Sequence, residues 1–206
     1  MKPLFIACML GLFSISSMLG QKELTFSAHA GTNYSNFVAS DFFGFDYKYG
    51  VSFTVGAGLE IGLHEQWSLI TGLLYDRKVI NLEYTIFIQS EMGNEVVDIS
   101  DTFTFNYLIV PAMGRYTFAN EKTPLFINAG LYTGYLAETT LSFDGTTSGY
   151  NSIDAGIALG AGMHIPLSEE NNLIIEIRDY LGLTDINSGP NTDNLNSVQL
   201  LLGVSF

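Results

Sequence analysis

The chain has 206 residues, one cysteine, 21 glycines and 47% apolar residues, enough for one domain, at most two, with a real core. Charged residues make up 14% and aromatics 13%, a balance that excludes a disordered chain, a collagen, a coiled coil or a disulfide scaffold and favours a β-rich or membrane-facing protein. Twenty-one acids against eight Lys and Arg leave a formal charge of −13, without the basic footprint that a nucleic-acid partner requires.

Residues 1–20 read as a secretory signal peptide: Lys2, an apolar run from Leu4 to Leu19 broken by Ser14, Ser16 and Ser17, then Gly20 before a polar segment. The run is short of the roughly 20 apolar residues of a spanning helix. Cys8 falls inside it, so the mature segment, residues 21–206, offers no disulfide and no thiol chemistry.

Eight strands are predicted in chain order, over 23–35, 49–63, 67–86, 102–118, 124–143, 152–166, 173–183 and 195–206. The second shows the pattern most plainly. Val51, Phe53, Val55, Ala57, Leu59, Ile61 and Leu63 share one face, and Ser52, Thr54, Gly56, Gly58, Glu60 and Gly62 the other, a period of two. The sixth sets Ile153, Ile157, Leu159 and Ile165 against Asp154, Gly156, Gly160, Gly162 and His164, and the eighth aligns Val198, Leu200, Leu202, Val204 and Phe206. Most of these strands exceed the usual length of about five or six residues and suit a tilted bilayer crossing. Short connections at 64–66, 119–123 and 167–172 alternate with long ones at 36–48, 87–101, 144–151 and 184–194. Outer-membrane barrels alternate in this way, with short periplasmic turns and long external loops. Aromatic residues at the strand ends predict two interfacial girdles: Tyr34, Phe37, Phe42, Phe43, Tyr47 and Tyr49 on the loop side, Trp67, Tyr116, Phe118, Phe126 and Phe206 on the turn side.

Several blocks resemble the PorT-like outer membrane β-barrel domains of Bacteroidetes. They include Gly31-Thr-Asn-Tyr-Ser-Asn-Phe37, Gly58-Leu-Glu-Ile-Gly62, Ser68-Leu-Ile-Thr-Gly-Leu-Leu-Tyr75, Tyr107-Leu-Ile-Val-Pro-Ala-Met-Gly-Arg-Tyr116, Gly130-Leu-Tyr-Thr-Gly-Tyr-Leu136, Glu176-Ile-Arg178 and the ending Leu202-Gly-Val-Ser-Phe206. The sequence departs from that family at Ile109, where a Glu is usual, and at Asp179, where a Tyr follows Glu-x-Arg. The resemblance implies an eight-stranded outer-membrane barrel of the small OmpA/OmpX-like kind, in a family with members that serve secretion or surface-organelle assembly.

Phasing the strands places a lumenal charge network inside: Glu60, Asp76, Lys78, Arg115, Glu138, Asp154, Glu176 and Arg178, with Asn128, Tyr132, His164 and His29 beside it. Unpaired buried charges are costly, so Arg115, Arg178 and Lys78 are expected to pair with Glu60, Asp76 and Glu176. An eight-stranded ring leaves room only for side chains or one small ligand, which favours a packed interior over a channel. No nucleotide-binding glycine pattern and no Gly-x-Ser-x-Gly elbow is present, and His29, His64 and His164 lie on separate segments. Catalytic residues, metal and cofactor are accordingly expected to be absent. The long loops carry Asp41, Asp46, Glu91, Glu95, Asp98, Asp101, Asp144, Asp185 and Asp193 against Lys48, read as solvated charge. The terminal Phe206 resembles the signal read by the barrel-assembly machinery.

The sequence therefore predicts a monomeric, all-β, eight-stranded antiparallel transmembrane meander with a polar packed lumen. Its partners would be the lipid of the outer membrane, the assembly machinery during insertion, and a protein met through external loops or periplasmic turns. Two alternatives make different demands. A soluble lipocalin-like carrier needs the opposite polarity, apolar inside and polar outside, and a small pore needs an open lumen.

Overall fold

In the computed structural model the described residues are 23–38, 46–90, 93–119, 123–141, 149–187 and 193–206; the expected signal peptide at 1–20 lies outside them. Eight strands follow one another: β1 (Leu24–Val38), β2 (Asp46–His64), β3 (Trp67–Ser90), β4 (Gly93–Thr117), β5 (Leu125–Leu141), β6 (Ile153–Pro166), β7 (Asn172–Gly182) and β8 (Asn194–Ser205). Each pairs antiparallel with the next, and β8 pairs with β1 to close the ring. Phe206 continues that seam, exchanging two backbone hydrogen bonds with Phe26 of 3.0 and 2.9 Å. Closure leaves no free sheet edge in the ring itself.

The register gives the ring its slant. From Leu69 on β3, paired residues run through Gly114, Ala129, Leu159, Asp179, Val198 and Tyr34 to Val51 on β2. Val51 falls where β2 faces residues 77–80 of β3, so one circuit returns roughly ten residues further along, a stagger that sets strands in an eight-stranded barrel at roughly 40° to its axis. The start of β1, the end of β8 and the strand ends that border the β2–β3, β4–β5 and β6–β7 connections lie at one end of the ring.

Polarity is inverted relative to a soluble protein. Leu131 is 64% exposed on the outer wall, whereas Lys78 is completely buried inside. Alternation explains this, because every second residue of a strand faces the lumen. Outward aromatics gather toward the two ends: Tyr34, Tyr49, Phe53 and Tyr135 at one, Phe26, Trp67, Phe118 and Phe206 at the other. Two residues assigned to girdles by sequence sit inside instead, because Phe37 and Phe126 fall on lumenal positions of β1 and β5 and are buried. Phe42, Phe43 and the Tyr47 side chain lie outside the described residues.

The clearest departure from the sequence reading is at 87–101, expected as a loop. Pairing of β3 with β2 ends at Glu83, and pairing of β4 with β5 ends at Phe103. Beyond those points β3 and β4 continue to pair with each other up to Ser90 and Gly93. The result is a two-stranded ribbon rising from the end of the ring opposite the termini. Its residues Thr85, Ile86, Ile88, Val96, Val97 and Ile99 are β-branched and favour extended backbone, and a cross-strand hydrogen bond of 2.7 Å from Thr85 Oγ1 to Asp98 Oδ1 supports it. Because the ribbon adds nothing to the ring's own pairing, replacing residues 86–97 with a two-residue turn should leave the thermal unfolding midpoint in detergent unchanged. A large drop would show that the ribbon braces the ring.

Candidate functional site

The lumen is the candidate site, and its charged residues form two groups. Nearer the termini, Glu176 and Arg178 stand two apart on β7 and so share its inward face. Arg178 Nε donates to Glu176 Oε1 at 2.6 Å, and Arg178 Nη1 to the Tyr180 hydroxyl at 3.1 Å. Arg115 reaches across from β4. Its Nη1 lies 2.8 Å from Glu60 Oε2 and its Nη2 3.5 Å from Glu176 Oε2. Arg115 Nε donates to Asn128 Oδ1 at 2.9 Å, while Asn128 Nδ2 donates to Glu176 Oε1 at 3.0 Å. The Arg115 guanidinium also lies 3.8 Å from the centre of the Phe126 ring, which shields it from water and adds a cation–π attraction. Ser68 Oγ completes the shell around Glu60, donating at 2.6 Å, and His164 Nε2 lies 3.2 Å from Arg115 Nη1.

Gly160 makes this packing feasible. It is paired with both Asn128 and Arg178, and a Cβ there would lie 2.8 Å from Glu176 Oε1. The missing side chain is the space that the carboxylate occupies.

Higher in the lumen, Lys78 Nζ lies 3.4 Å from Asp154 Oδ2, and the Tyr132 hydroxyl donates to the same oxygen at 3.0 Å. Thr184 Oγ1 donates to Asp154 Oδ1 at 3.2 Å. The Lys78 ammonium also stands 5.1 Å from the Tyr107 ring centre and 5.8 Å from that of Tyr132. Asp76 takes neutral partners, Asn33 Nδ2 at 2.5 Å and Gln199 Nε2 at 2.8 Å.

Above these groups the lumen turns apolar. Phe37, Ile80, Phe105, Ile186 and Leu195 are buried there, with Phe105 edge-on to Phe37 at 6.0 Å and to Tyr150 at 5.0 Å. Among the described residues this apolar cluster lies above the charged side chains that cross the bore. At the opposite end a small recess is lined by Ser27, His29, Glu60, Arg115, Arg178 and Ser205 among others. There Ser27 Oγ and His29 Nε2 are 2.7 Å apart. His29 Nδ1 has no hydrogen-bond partner among the described residues, so no carboxylate backs the ring as a serine–histidine–acid triad requires. No cluster of three metal-ligating side chains occurs among the described residues.

Placement differs from the sequence reading at three points. Glu138 is exposed on the outer wall, where it accepts a hydrogen bond of 3.2 Å from Asn106. Asn106 pairs with Glu138 but Tyr107 pairs with Leu136, so Ala137 is an extra residue, and a one-residue bulge reverses the alternation beyond it. Below the bulge Asn128 and Tyr132 face inward; above it Thr139 does. Lys78 pairs with Asp154 rather than Asp76, because a side chain on β3 meets one on β6 across the bore as readily as its own neighbour. The inner face also carries large apolar and aromatic residues, Phe105, Tyr107, Ile109, Met113 and Tyr180, where small and polar ones were expected. Alternation marks Asn33 and Gln199 as inward candidates, but it does not say that both meet Asp76. Thr184 lies beyond β7, out of reach of any strand pattern.

Removing one partner of a buried pair leaves an uncompensated charge, whereas removing both with volume kept does not. Arg178→Met should therefore destabilise the barrel by about 3–5 kcal/mol in urea unfolding from lipid vesicles, and Glu176→Gln combined with it should recover much of that loss. Additive effects would mean that the two residues do not act as a pair. Gly160→Leu should prevent the folded barrel from forming, read as loss of its heat-sensitive electrophoretic mobility.

Known proteins bear on this architecture. Residues 16–188 match the family model of the outer membrane protein beta-barrel domain. No curated protein matches the chain. Among solved structures, the chain is similar to neisserial surface protein A, with 14% identity, coverage of 87% of this chain and 95% of that one, and a TM-score of 0.50. It is also similar to OprG of Pseudomonas aeruginosa, with 12% identity, coverage of 91% and 98%, and a TM-score of 0.53. At such identities the likeness is one of fold. With an apolar outer wall, a closed eight-stranded meander and a family match over most of its length, the chain belongs to the outer membrane protein beta-barrel domain family and sits in the outer-membrane bilayer.

Proposed function

We infer that this is a non-conducting, non-enzymatic barrel whose task is interaction at the membrane surface, as a component of a secretion or surface assembly of the PorT-like kind. The observation that carries the reading is the contrast between a stoppered lumen and a projecting β3–β4 ribbon. Phe105, Ile80 and Leu195 are buried in the lumen, which supports a closed bore. The ribbon, in contrast, carries paired backbone beyond the ring. In this reading residues 1–20 are the export signal, Phe206 is read by the barrel-assembly machinery, and residues 21–206 form the barrel. The termini and short turns are periplasmic and the long loops external, the orientation usual for such barrels. The soluble carrier is disfavoured by the inverted polarity of the wall, and a pore by the stopper.

Two measurements test the proposal. Crosslinking in intact outer membranes, followed by recovery of the barrel, should yield a stoichiometric partner with the full chain and lose it when 86–97 are shortened. Recovery of the barrel alone in both cases would leave a stand-alone structural protein. Reconstitution into planar bilayers should give no discrete conductance, and stable channels would overturn the closed-lumen reading.

A further inference from the structure

Asp76 on β3 is completely buried, yet among the described residues no cation lies within ion-pair distance of it. Each lumenal cation is held elsewhere. Lys78, two residues along the same inner face, is 3.4 Å from Asp154, Arg178 is bound to Glu176, and Arg115 lies between Glu60 and Glu176. Arg77, next in sequence, is on the outer face. The groups paired with Asp76 on the adjoining strands, Thr54 on β2 and Tyr107 on β4, carry no charge.

Hydrogen bonding around this acid is lopsided. Its Oδ1 accepts from Asn33 Nδ2 at 2.5 Å and from Gln199 Nε2 at 2.8 Å. Its Oδ2 is closed off from solvent and meets no donor among the described residues, and the same is true of Gln199 Oε1. The Asn33 amide is held in place by Ser35 Oγ, which donates to Asn33 Oδ1 at 2.6 Å, so its Nδ2 is the side that meets the acid. An ionised Asp76 would therefore leave a buried negative charge without a counter-ion and two buried acceptors without a donor, each of them costly away from water. One proton on Oδ2 removes both faults, because it cancels the charge and supplies the missing donor.

We propose that Asp76 holds a proton in the folded barrel and donates it to Gln199 Oε1, so that acid and amide are joined by two hydrogen bonds. The strands give this clasp its significance. Gln199 is paired with Asn33 across the β8–β1 seam, and Asp76 reaches both of them from β3, past β2. The proton acts as a structural ion that ties β3 to the seam where the ring closes. It needs no cavity and no path through the wall, since the acid carries it in as the chain folds. The clasp is independent of any partner bound outside.

The test is infrared spectroscopy of the folded barrel in lipid vesicles at neutral pH, where the carbonyl of a protonated carboxyl group absorbs apart from ionised carboxylates and from the backbone amides. The unsubstituted barrel should show this absorption, isotope-labelled aspartate should shift it, and Asp76→Asn should abolish it. A folded barrel without the absorption would overturn the proposal and leave an ionised Asp76 with water as its donor. An absorption that ignores the aspartate label, or that survives Asp76→Asn, would overturn it by placing the proton on another acid. The label needs no variant, so this readout stands whether or not Asp76→Asn folds. Unfolding in urea gives a second readout, because Asn has the shape and neutrality of the protonated acid and keeps a donor. Asp76→Asn should unfold at the same urea concentration as the unsubstituted chain or a higher one, and Asp76→Ala at a lower one. An Asp76→Asn midpoint as low as that of Asp76→Ala would refute the neutral state.

Discussion

Glu176 is gripped by two guanidinium groups, and much of the interior is arranged around that contact. A barrel with an apolar outer wall has to place its charges inside itself, where each unpaired one is costly. Arg178 comes from the same strand, Arg115 from β4 and Asn128 from β5, so one carboxylate ties three strands across the bore. Gly160 yields the space, and Phe126 covers the open face of Arg115. The geometry is specific because guanidinium and carboxylate are planar and directional, which gives the lumen one preferred arrangement rather than many near-equivalent ones.

The two ends of the lumen differ in kind. Toward the first residues of β1 it is ionic and opens into a small recess; toward the other end it is lined by the buried Phe37, Ile80, Phe105, Ile186 and Leu195. The three buried cations face four carboxylates, Glu60, Asp76, Asp154 and Glu176, and Asp76 relies on the amides of Asn33 and Gln199. Side chains that cross the bore and neutralise one another tie its strands together.

The wall is uneven. β3 and β4 have 24 and 25 residues, while β7 and β8 have 11 and 12. Only about 9 to 11 residues of a tilted strand are needed to cross the hydrocarbon, so β7 and β8 do little more than cross, whereas β3 and β4 continue as a paired ribbon.

Period-two alternation, strand length and the rhythm of short and long connections were enough to read the eight strands, their antiparallel order, and the inward positions of Glu60, Asp76, Lys78, Arg115, Asp154, Glu176 and Arg178. These are local properties, since a residue's face depends only on its distance from its neighbours along one strand. What lay beyond the sequence depends on more than one strand. The Ala137 bulge that turns Glu138 outward is a mismatch between β4 and β5 and leaves no mark in β5 alone. The choice of Asp154 by Lys78, the grip of Arg115 on both Glu60 and Glu176, and the meeting of Asn33 and Gln199 at Asp76 depend on the stagger of the closed ring, which sets which side chains share a level across the bore. The sequence by itself determined the two faces of each unbroken strand; only the tertiary structure decided where a bulge exchanges them, as at Glu138, and which inward side chains touch, because in a closed barrel height is set by the whole circuit of strand registers and by no single strand.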